Sequence, residues 1–351
     1  MKKIKTIACI FFVTVTFQYC SKNETNSTAE TAAAIPVLPA VPFNYVTTYP
    51  AHIQNALQLN DNTPAGNAIT NDGAALGRVL FYDKQLSKNN KVSCGSCHQQ
   101  QFGFDDTARL SKGFDGGSTD RTSMSLLNLS FYKSGKMFWD ERAASVEKQA
   151  LQPIQNKVEM GLTLAELETK VKALSYYPAL FQKAFGSTQI DSVGIAKAIA
   201  QFERSIVTYQ SKYDKVKQGL AVFTTAEAQG EQLFLTAAGP NACAACHTPP
   251  MFLNSQTPPF GLADANDAGI NNQNRFKSGS LRNVANSKSL FHNGSVVSLQ
   301  AMLTAGAPGS GLPPIPAHSV APPDVQNLLA FLNTLTDNTI LTEEKFASPF
   351  K

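Results

Sequence analysis

The spacing of apolar residues predicts a chain built from helices joined by long polar loops. Apolar positions recur at helical intervals over 71–86 and, most regularly, over 192–209. In the second stretch Ile195, Ile199 and Phe202 mark one stripe, as expected for a helix that buries one face. Strand-like alternation of apolar and polar residues is scarce, so the pattern predicts a mainly α fold.

Two helix starts carry a recognisable capping sequence. Thr163 is followed three residues later by Glu166, and Thr224 by Glu227, each ahead of an apolar run. In this arrangement each side chain bonds the backbone N–H of the other residue, which stabilises the first turn of a helix. A further amphipathic helix is predicted over 325–335.

Two copies of the pattern Cys-x-x-Cys-His carry the clearest chemistry in the chain. Cys94, Cys97 and His98 form the first copy, and Cys243, Cys246 and His247 form the second. This spacing lets two thiols attach to one porphyrin while the adjacent histidine binds its iron. A zinc site or a redox-active cysteine pair would leave both histidines without a role. The sequence therefore predicts two covalently bound c-type haems.

A faint internal repeat accompanies these motifs. Leu80-Phe81 precedes the first motif, and Leu233-Phe234 precedes the second. A repeated helix followed by a haem-attachment motif predicts two cytochrome-c-like haem domains joined side by side.

The N-terminus reads as an export signal. Residues 1–20 combine three lysines with an apolar stretch too short to span a bilayer comfortably, and they end at Cys20. The segment resembles a bacterial lipoprotein signal, which predicts lipid anchoring at Cys20 and a periplasmic location. An ordinary leader cut among the alanines at 29–34 is the alternative. Residues 21–44, rich in Thr, Ala, Asn, Ser and Pro, are expected to form a flexible tether.

The length and net charge of the chain limit its number of domains and its possible partners. The 351 residues are enough for two domains, predicted as an N-terminal haem domain at 45–209 and a C-terminal haem domain at 210–330. Residues 331–351 form a C-terminal segment expected to pack back on the N-terminal domain. Net charge is +4, and three of these charges lie in the leader. The absence of a basic run gives no support for nucleic-acid binding.

Several segments resemble one known family, the bacterial di-haem cytochrome c peroxidases and MauG-like enzymes. The matching stretches, which fall within residues 45–337, include Leu76-Gly77-Arg78, Phe138-Trp139-Asp140-Glu141-Arg142-Ala143, Leu281-Arg282-Asn283-Val284 and Phe291-His292-Asn293-Gly294. The resemblance implies reduction of hydrogen peroxide to water with electrons from a small periplasmic donor, a cytochrome c or a cupredoxin. Family members often form homodimers, and they usually hold a calcium ion between the domains.

The resemblance also implies roles for individual residues. The haem on His98 is expected to be peroxidatic, and the haem on His247 is expected to take electrons from the donor. Glu159 matches the family's distal acid/base, although an exposed loop glutamate is the ordinary alternative. Trp139 matches the tryptophan between the haems; the alternative is a core aromatic. Glu141 replaces the glycine that usually follows Trp-Asp.

One departure from the family pattern concerns the far side of the first haem. Many members carry a histidine there that must leave the iron before peroxide binds. No histidine occurs between His98 and His247, and the corresponding loop at 111–122 is rich in Gly, Ser and Asp. We therefore expect a first iron with no protein ligand on its far side and one high-spin haem in the oxidised protein.

Two further metal positions also depart from the family pattern. For the sixth ligand of the second haem, Met302 is the first choice, His318 is the second, and an open position is the third. No tyrosine follows Tyr213 in the sequence, so a tyrosine ligand at this position is excluded. The family's calcium-binding asparagine is missing near Thr122. Backbone carbonyls near 287–289 and waters are left to hold that ion.

Two rival functions stay open at this point. A MauG-like high-valent oxidase would modify a partner protein or an organic substrate. A plain di-haem electron carrier would need two six-coordinate irons and no acid/base at Glu159.

Overall fold

The computed structural model describes residues 34–236, 243–254, 267–305, 318 and 320–351, and within them the regular structure is helical. No β-strand occurs in these ranges, only isolated β-bridges. The helices are α1 (Ala51–Asn60), α2 (Asn71–Tyr82), α3 (Cys94–Cys97), α4 (Val146–Gln155), α5 (Leu164–Ala173), α6 (Tyr177–Phe185), α7 (Ser192–Arg204), α8 (Lys212–Lys217), α9 (Thr225–Thr236), α10 (Cys243–Cys246), α11 (Leu299–Leu303) and α12 (Pro322–Asn333). The mainly α prediction is confirmed.

Both predicted capping sequences form. Glu166 N donates to Thr163 Oγ1 at 3.2 Å, and Thr163 N donates back to Glu166 Oε2 at 2.7 Å. The same pair of bonds joins Thr224 and Glu227, at 3.3 and 2.7 Å. Helices α5 and α9 therefore begin where the local sequence satisfies their first free N–H groups.

Helix α7 ends earlier than its apolar pattern predicts. The stripe suggested a helix to residue 209, but the helix ends at Arg204 and the chain then runs without regular structure. Thr208 N donates to Asn128 Oδ1 at 2.9 Å, and Asn128 Nδ2 donates to Thr208 Oγ1 at 2.9 Å. These buried bonds to a distant loop replace the helical ones, so tertiary contacts override the local pattern.

The internal repeat is visible in the helix packing. Helix α2 packs on α7, and α9 packs on α12. Gly77 lies against the carbonyl oxygen of Ala198, and Gly230 lies against that of Asn327, so closely that a Cβ at either glycine would overlap the oxygen. Each haem motif thus follows a helix whose glycine allows close approach of a partner helix. The two cytochrome-c-like modules are built alike.

The loops that follow the motifs repeat as well. Three matched pairs of residues, with φ between +53° and +71°, adopt the left-handed conformation that non-glycine residues seldom show. The pairs are Phe104 with Phe252, Asn128 with Asn283, and Phe138 with Phe291. Equivalent turns therefore direct both loops around the space next to each motif.

The end of the chain packs against the first half of the sequence. Tyr45 Oη donates to Lys345 O at 2.8 Å, and Arg78 Nε donates to Ala347 O at 2.5 Å. Phe346 is buried in the core shared with Phe81 and Phe202. The boundary proposed between residues 209 and 210 stays a prediction.

The described helices include none that is both long and apolar enough to cross a membrane. The predicted leader at 1–20, its Cys20 and most of the predicted tether lie outside the described residues. Within the rest of the tether, Val37 N donates to Pro349 O at 2.8 Å.

Candidate functional site

The first Cys-x-x-Cys-His motif forms a single helical turn. Helix α3 (Cys94–Cys97) is capped by Ser93 and Ser96, and Ser93 N donates to Ser96 Oγ at 2.9 Å. His98 follows directly, and its Nδ1 donates to Phe104 O at 3.1 Å. A carbonyl can only accept, so Nδ1 carries the proton and Nε2 is the nitrogen for iron. Burial lowers the pKa of His98, which favours the neutral imidazole that binds metals.

The second motif repeats this geometry with one addition. His247 follows α10 (Cys243–Cys246), and its Nδ1 lies 3.3 Å from Phe252 O. Its Nδ1 also lies 3.1 Å from Ser278 Oγ, whose own proton is donated to Cys246 O at 2.8 Å. Burial, aided by His318, lowers the pKa of His247 to about 4. The second imidazole therefore has one more hydrogen-bond acceptor than the first.

Each motif opens into a cavity of cofactor size. His98 lines a cavity of about 850 Å³, and His247 lines a second cavity of about 520 Å³ together with Cys243 and Cys246. Both volumes fall in the range of about 300–1,000 Å³ usual for ligand pockets. The four motif cysteines form no disulfide. Two thiols one helical turn apart, followed by a neutral histidine with its Nδ1 engaged, fit a covalently attached haem in each cavity.

Glu159 lines the same cavity as His98. Its backbone is fixed on both sides: its N–H donates to Asn156 Oδ1 at 3.3 Å, and its C=O accepts from Phe114 N at 2.9 Å. Burial raises the pKa of Glu159, Arg142 lowers it, and Asp120 raises it. A carboxyl in this setting can take up and return a proton closer to neutral pH than an exposed glutamate. Its predicted catalytic role stays a prediction.

The loop at 111–122, where relatives of this kind often carry a histidine, supports the Glu159 segment instead. Gly113 lies so close to Val158 O that a Cβ there would overlap the oxygen. Residues 118–122 line the first cavity. Among the described residues of that lining, the only histidine besides His98 is His292. The ring of His292 stacks flat on Phe276, with centroids 3.7 Å apart.

Trp139 lines both cavities. Its indole Nε1 donates to Thr122 O at 2.7 Å, and its backbone oxygen accepts from Lys277 N at 2.8 Å. His292, which occupies the equivalent place in the second module, also lines both cavities. The predicted tryptophan thus belongs to a wall that the two cavities share, and its part in electron transfer stays a prediction.

The sequence reasoning missed Lys277, which belongs to the same shared wall. The side chain is buried, and its Nζ donates to Lys136 O at 2.6 Å and to Met137 Sδ at 3.2 Å. The ammonium also lies 3.6 Å from the centroid of the Tyr132 ring, a cation–π contact. Burial lowers the pKa of Lys277 to about 7, against the opposing effect of Glu141.

A second omission is Glu203, a buried residue of α7 that lines the first cavity. Its position is four residues after Ile199 on the apolar stripe of that helix. A carboxyl on the buried stripe of a helix is unusual, so the sequence alone could have pointed to Glu203 as a candidate.

The segment 140–142 contains one departure from the family pattern. Glu141 has a φ of +56°, a conformation that glycine adopts without strain, which accounts for the glycine usual at this position. Arg142 is exposed, and its guanidinium lies 3.6 Å over the Phe138 ring and 2.8 Å from Asp140. Since Arg142 also lines the first cavity, this turn presents a cation to the space near Glu159.

The two candidate sixth ligands, Met302 and His318, both line the second cavity. Met302 lies on α11 and packs against the apolar cluster that includes Leu299 and Leu303. The ring of His318 meets Phe291 edge-on, with centroids 5.3 Å apart. Either side chain is therefore available to the cavity of His247, and the assignment stays a prediction.

Few side-chain oxygens are available at the position predicted for calcium. The buried Oγ1 of Thr122 has no hydrogen-bond partner in the described part of the chain, and it lies near the position expected for the family's asparagine. Among these residues no group of three His, Cys, Asp or Glu side chains is arranged to hold a metal. Any calcium here would therefore depend on backbone carbonyls and water.

Comparison with known proteins supports a single family. The family described as di-haem cytochrome c peroxidase matches residues 71–221. Methylamine utilization protein MauG of Methylorubrum extorquens is 32% identical over 289 residues, covering 78% of this chain and 80% of that protein. Cytochrome c551 peroxidase of Nitrosomonas europaea is 33% identical over 279 residues, covering 76% and 80%. The crystal structure of a MauG-like protein associated with microbial copper homeostasis has a TM-score of 0.73 at 28% identity, covering 88% of this chain and 99% of that one.

Proposed function

Because this chain belongs to the family of di-haem cytochrome c peroxidases and MauG proteins, it is an oxidoreductase with two c-type haems, and we propose that it reduces hydrogen peroxide to water. The electrons come from a small periplasmic protein, a cytochrome c or a cupredoxin. The observation that carries the proposal is that Glu159, Trp139 and His98 line one cavity.

The residues divide into holders of the cofactors and residues that act on peroxide. Cys94, Cys97 and His98 hold the first haem, and the equivalent three residues of the second motif hold the other. When bound, the haems would supply irons that exchange single electrons and react with peroxide. The loop at 111–122 contains no histidine that could bind the first iron.

Glu159 moves the proton that the reaction needs. Breaking the oxygen–oxygen bond requires transfer of a proton from the inner to the outer oxygen of peroxide, so that water can leave. Burial raises the pKa of Glu159 towards the range in which a carboxyl can take this proton and return it, while Arg142 keeps the rise in check. Its fixed backbone, bonded to Asn156 and Phe114, holds the carboxyl on the cavity wall.

Trp139 carries electrons across the wall that the cavities share. An indole between two redox centres shortens the distance of each electron-transfer step. Its Nε1 is held by Thr122 O at 2.7 Å, which fixes the ring.

Met302 would be the sixth ligand of the second haem, with His318 as the alternative, since both line the cavity of His247. A thioether ligand raises the potential of an electron-entry haem. Near-infrared spectra of the oxidised protein distinguish the two, because methionine–iron ligation gives a charge-transfer band that bis-histidine ligation places elsewhere. A methionine band in the wild type that is lost in Met302→Ala but kept in His318→Ala supports Met302. A bis-histidine band in the wild type that is lost in His318→Ala but kept in Met302→Ala assigns His318.

The proposal places the protein in the periplasm, tethered through a lipid on Cys20, as a homodimer with one calcium ion per chain. Mass spectrometry of the purified N-terminus, size-exclusion chromatography with light scattering, and elemental analysis test these three points separately.

Steady-state peroxide turnover with a reduced cytochrome c or cupredoxin donor tests the function. Rapid donor oxidation with two donor molecules per peroxide supports the peroxidase. Slow turnover with a long-lived oxidised state supports the MauG-like alternative, which the similarity to MauG of Methylorubrum extorquens keeps as the second candidate. No reaction with peroxide contradicts both and leaves an electron carrier.

A further inference from the structure

Glu203 stands out as an ionisable group that the proposed reaction leaves unused. It lies at the end of α7, only 4% exposed, and its side chain lines the first cavity. Its Oε2 is buried with no hydrogen-bond partner in the described part of the chain. A carboxyl oxygen that is buried without a hydrogen bond is destabilising, so its retention at a cofactor cavity calls for a reason.

The neighbouring cation does not neutralise Glu203. Arg204 directs its Nη1 and Nη2 to the two carboxylate oxygens of Glu147, at 2.6 and 3.0 Å, and its Nε to Asn62 Oδ1 at 2.8 Å. The guanidinium is therefore committed to another carboxylate. Burial, together with Glu147, raises the pKa of Glu203 to about 8, although Arg204 opposes the rise.

The other elements around α7 bring little charge to this carboxyl. Helix α2 carries Asp72 and Arg78, and Arg78 binds the C-terminal segment through Ala347 O. Helix α4 carries Glu147 and Lys148, and the short turn at Leu129–Phe131 carries no ionisable group. Helix α5 also packs on α7, and it carries Glu166, Glu168, Lys170 and Lys172.

The cavity wall itself adds several ionisable side chains, namely His98, Arg109, Asp120, Arg121, Tyr132, Asp140, Arg142, Glu159, Asp267, Lys277 and His292. Of all these groups, Arg204 and Glu147 are the ones with a resolved electrostatic effect on Glu203. The occupant of the cavity is therefore the remaining source of positive charge next to Glu203.

The haem of His98 is that occupant, and its charge depends on its oxidation state. A ferric haem carries one positive charge more than a ferrous haem. In a low-dielectric cavity this charge stabilises the Glu203 carboxylate, and its loss on reduction favours the protonated acid. Burial, and after it the charge of Glu203, raises the pKa of the Cys94 thiol, so this carboxyl lies within electrostatic reach of the first haem-attachment motif.

We propose that Glu203 is the redox-linked proton site of the first haem, binding one proton when the iron is reduced and releasing it when the iron is oxidised. In the reductive step one electron from the donor protein reduces the iron and one proton from solvent binds Oε2. In the oxidative step the electron passes to peroxide and the proton leaves the carboxyl. Since reduction of peroxide to two waters consumes two electrons and two protons, Glu203 lets an electron and a proton enter the cavity together.

This inference rests on the proposed function only for its purpose, because the redox-linked binding of the proton can be measured without peroxide. The midpoint potential of the first haem in the loaded enzyme should fall as pH rises, by up to about 59 mV for each tenfold drop in proton concentration. In Glu203→Gln the slope should vanish, and the potential should lie above that of the wild type on the alkaline side, because glutamine mimics the neutral acid.

Two controls keep the outcome specific. Glu159→Gln should retain the slope, and the second haem, in its own cavity, should be unaffected by Glu203→Gln. A wild-type potential that does not depend on pH overturns the proposal, as does a slope that survives in Glu203→Gln or is lost in Glu159→Gln alone.

Infrared difference spectroscopy of the wild type provides a test that needs no variant to fold. Reduction of the first haem should produce a C=O stretch of a protonated carboxylic acid that shifts in deuterated water. Absence of this band overturns the proposal independently of any turnover measurement. Its disappearance in Glu203→Gln assigns the proton to that residue.

Discussion

Replacement of Glu159 by glutamine is the sharpest test of the proposed chemistry. The amide keeps the shape of the side chain but cannot take a proton from peroxide and return it. The backbone bonds from Glu159 N to Asn156 Oδ1 and from Phe114 N to Glu159 O do not involve the carboxyl, so the loop should keep its course. Loss of one positioned acid/base lowers rates by about 10²–10⁴-fold, or about 3–5 kcal/mol of activation free energy.

The assay is kcat/KM for peroxide with a saturating reduced donor, together with haem content from the spectrum of the pyridine complex. Glu159→Gln should bind both haems in full and lose at least a hundredfold in kcat/KM. Glu166→Gln is the matched control, because Glu166 is exposed at the start of α5 and glutamine also serves in its capping arrangement. A loss in Glu159→Gln of less than tenfold, with both haems bound, would refute the reasoning.

Three further predictions follow from specific contacts. Arg142→Gln should move the acid limb of the pH profile of kcat/KM to higher pH, because Arg142 lowers the pKa of Glu159 and the reaction begins with Glu159 deprotonated. Ser278→Ala should raise the potential of the second haem by at most about 40 mV, since the hydroxyl accepts a hydrogen bond from the axial imidazole and so favours the ferric state. Gly230→Ala should lower the free energy of unfolding by about 1–3 kcal/mol, measured by thermal melting, because α9 and α12 must move apart.

Matched changes within the chain serve as controls for these predictions. Ser123 is the equivalent of Ser278 in the first module, but its hydroxyl contacts Ser111 Oγ at 2.7 Å instead of the axial histidine. Ser123→Ala should therefore leave the potential of the first haem nearly unchanged, and an equal shift in both variants would contradict the hydrogen-bond argument. Gly66→Ala should leave stability nearly unchanged, because nothing lies within 4 Å of a Cβ there.

Much of the site could be predicted because its chemistry is local in the sequence. A Cys-x-x-Cys-His motif fixes one helical turn and the histidine after it, and each motif opens into its own cavity. Glu159 and Trp139 were placed by resemblance, and both line the first cavity. The helix starts at α5 and α9 followed from capping sequences whose bonds span only three residues.

Features that depend on contacts between distant residues could not be predicted from the sequence. The early end of α7 depends on the exchange of bonds between Thr208 and Asn128, 80 residues apart. Lys277 reads as an ordinary surface lysine until the fold buries it between the cavities. Ser278 could have been singled out from the sequence, because the pattern Ser-x-Ser-Leu recurs at Ser123 and Ser278. Only the structure shows that the two hydroxyls have different hydrogen-bond partners.

The central claim is that the protein leaves the far side of the first iron open. Electron paramagnetic resonance of the fully oxidised, haem-loaded protein measures this directly, because an iron without a strong sixth ligand is high-spin and a six-coordinate iron with two strong ligands is low-spin. The account predicts one high-spin and one low-spin haem per chain, with the high-spin signal lost in a variant that cannot attach the haem of His98. Two low-spin haems in the resting protein would contradict it.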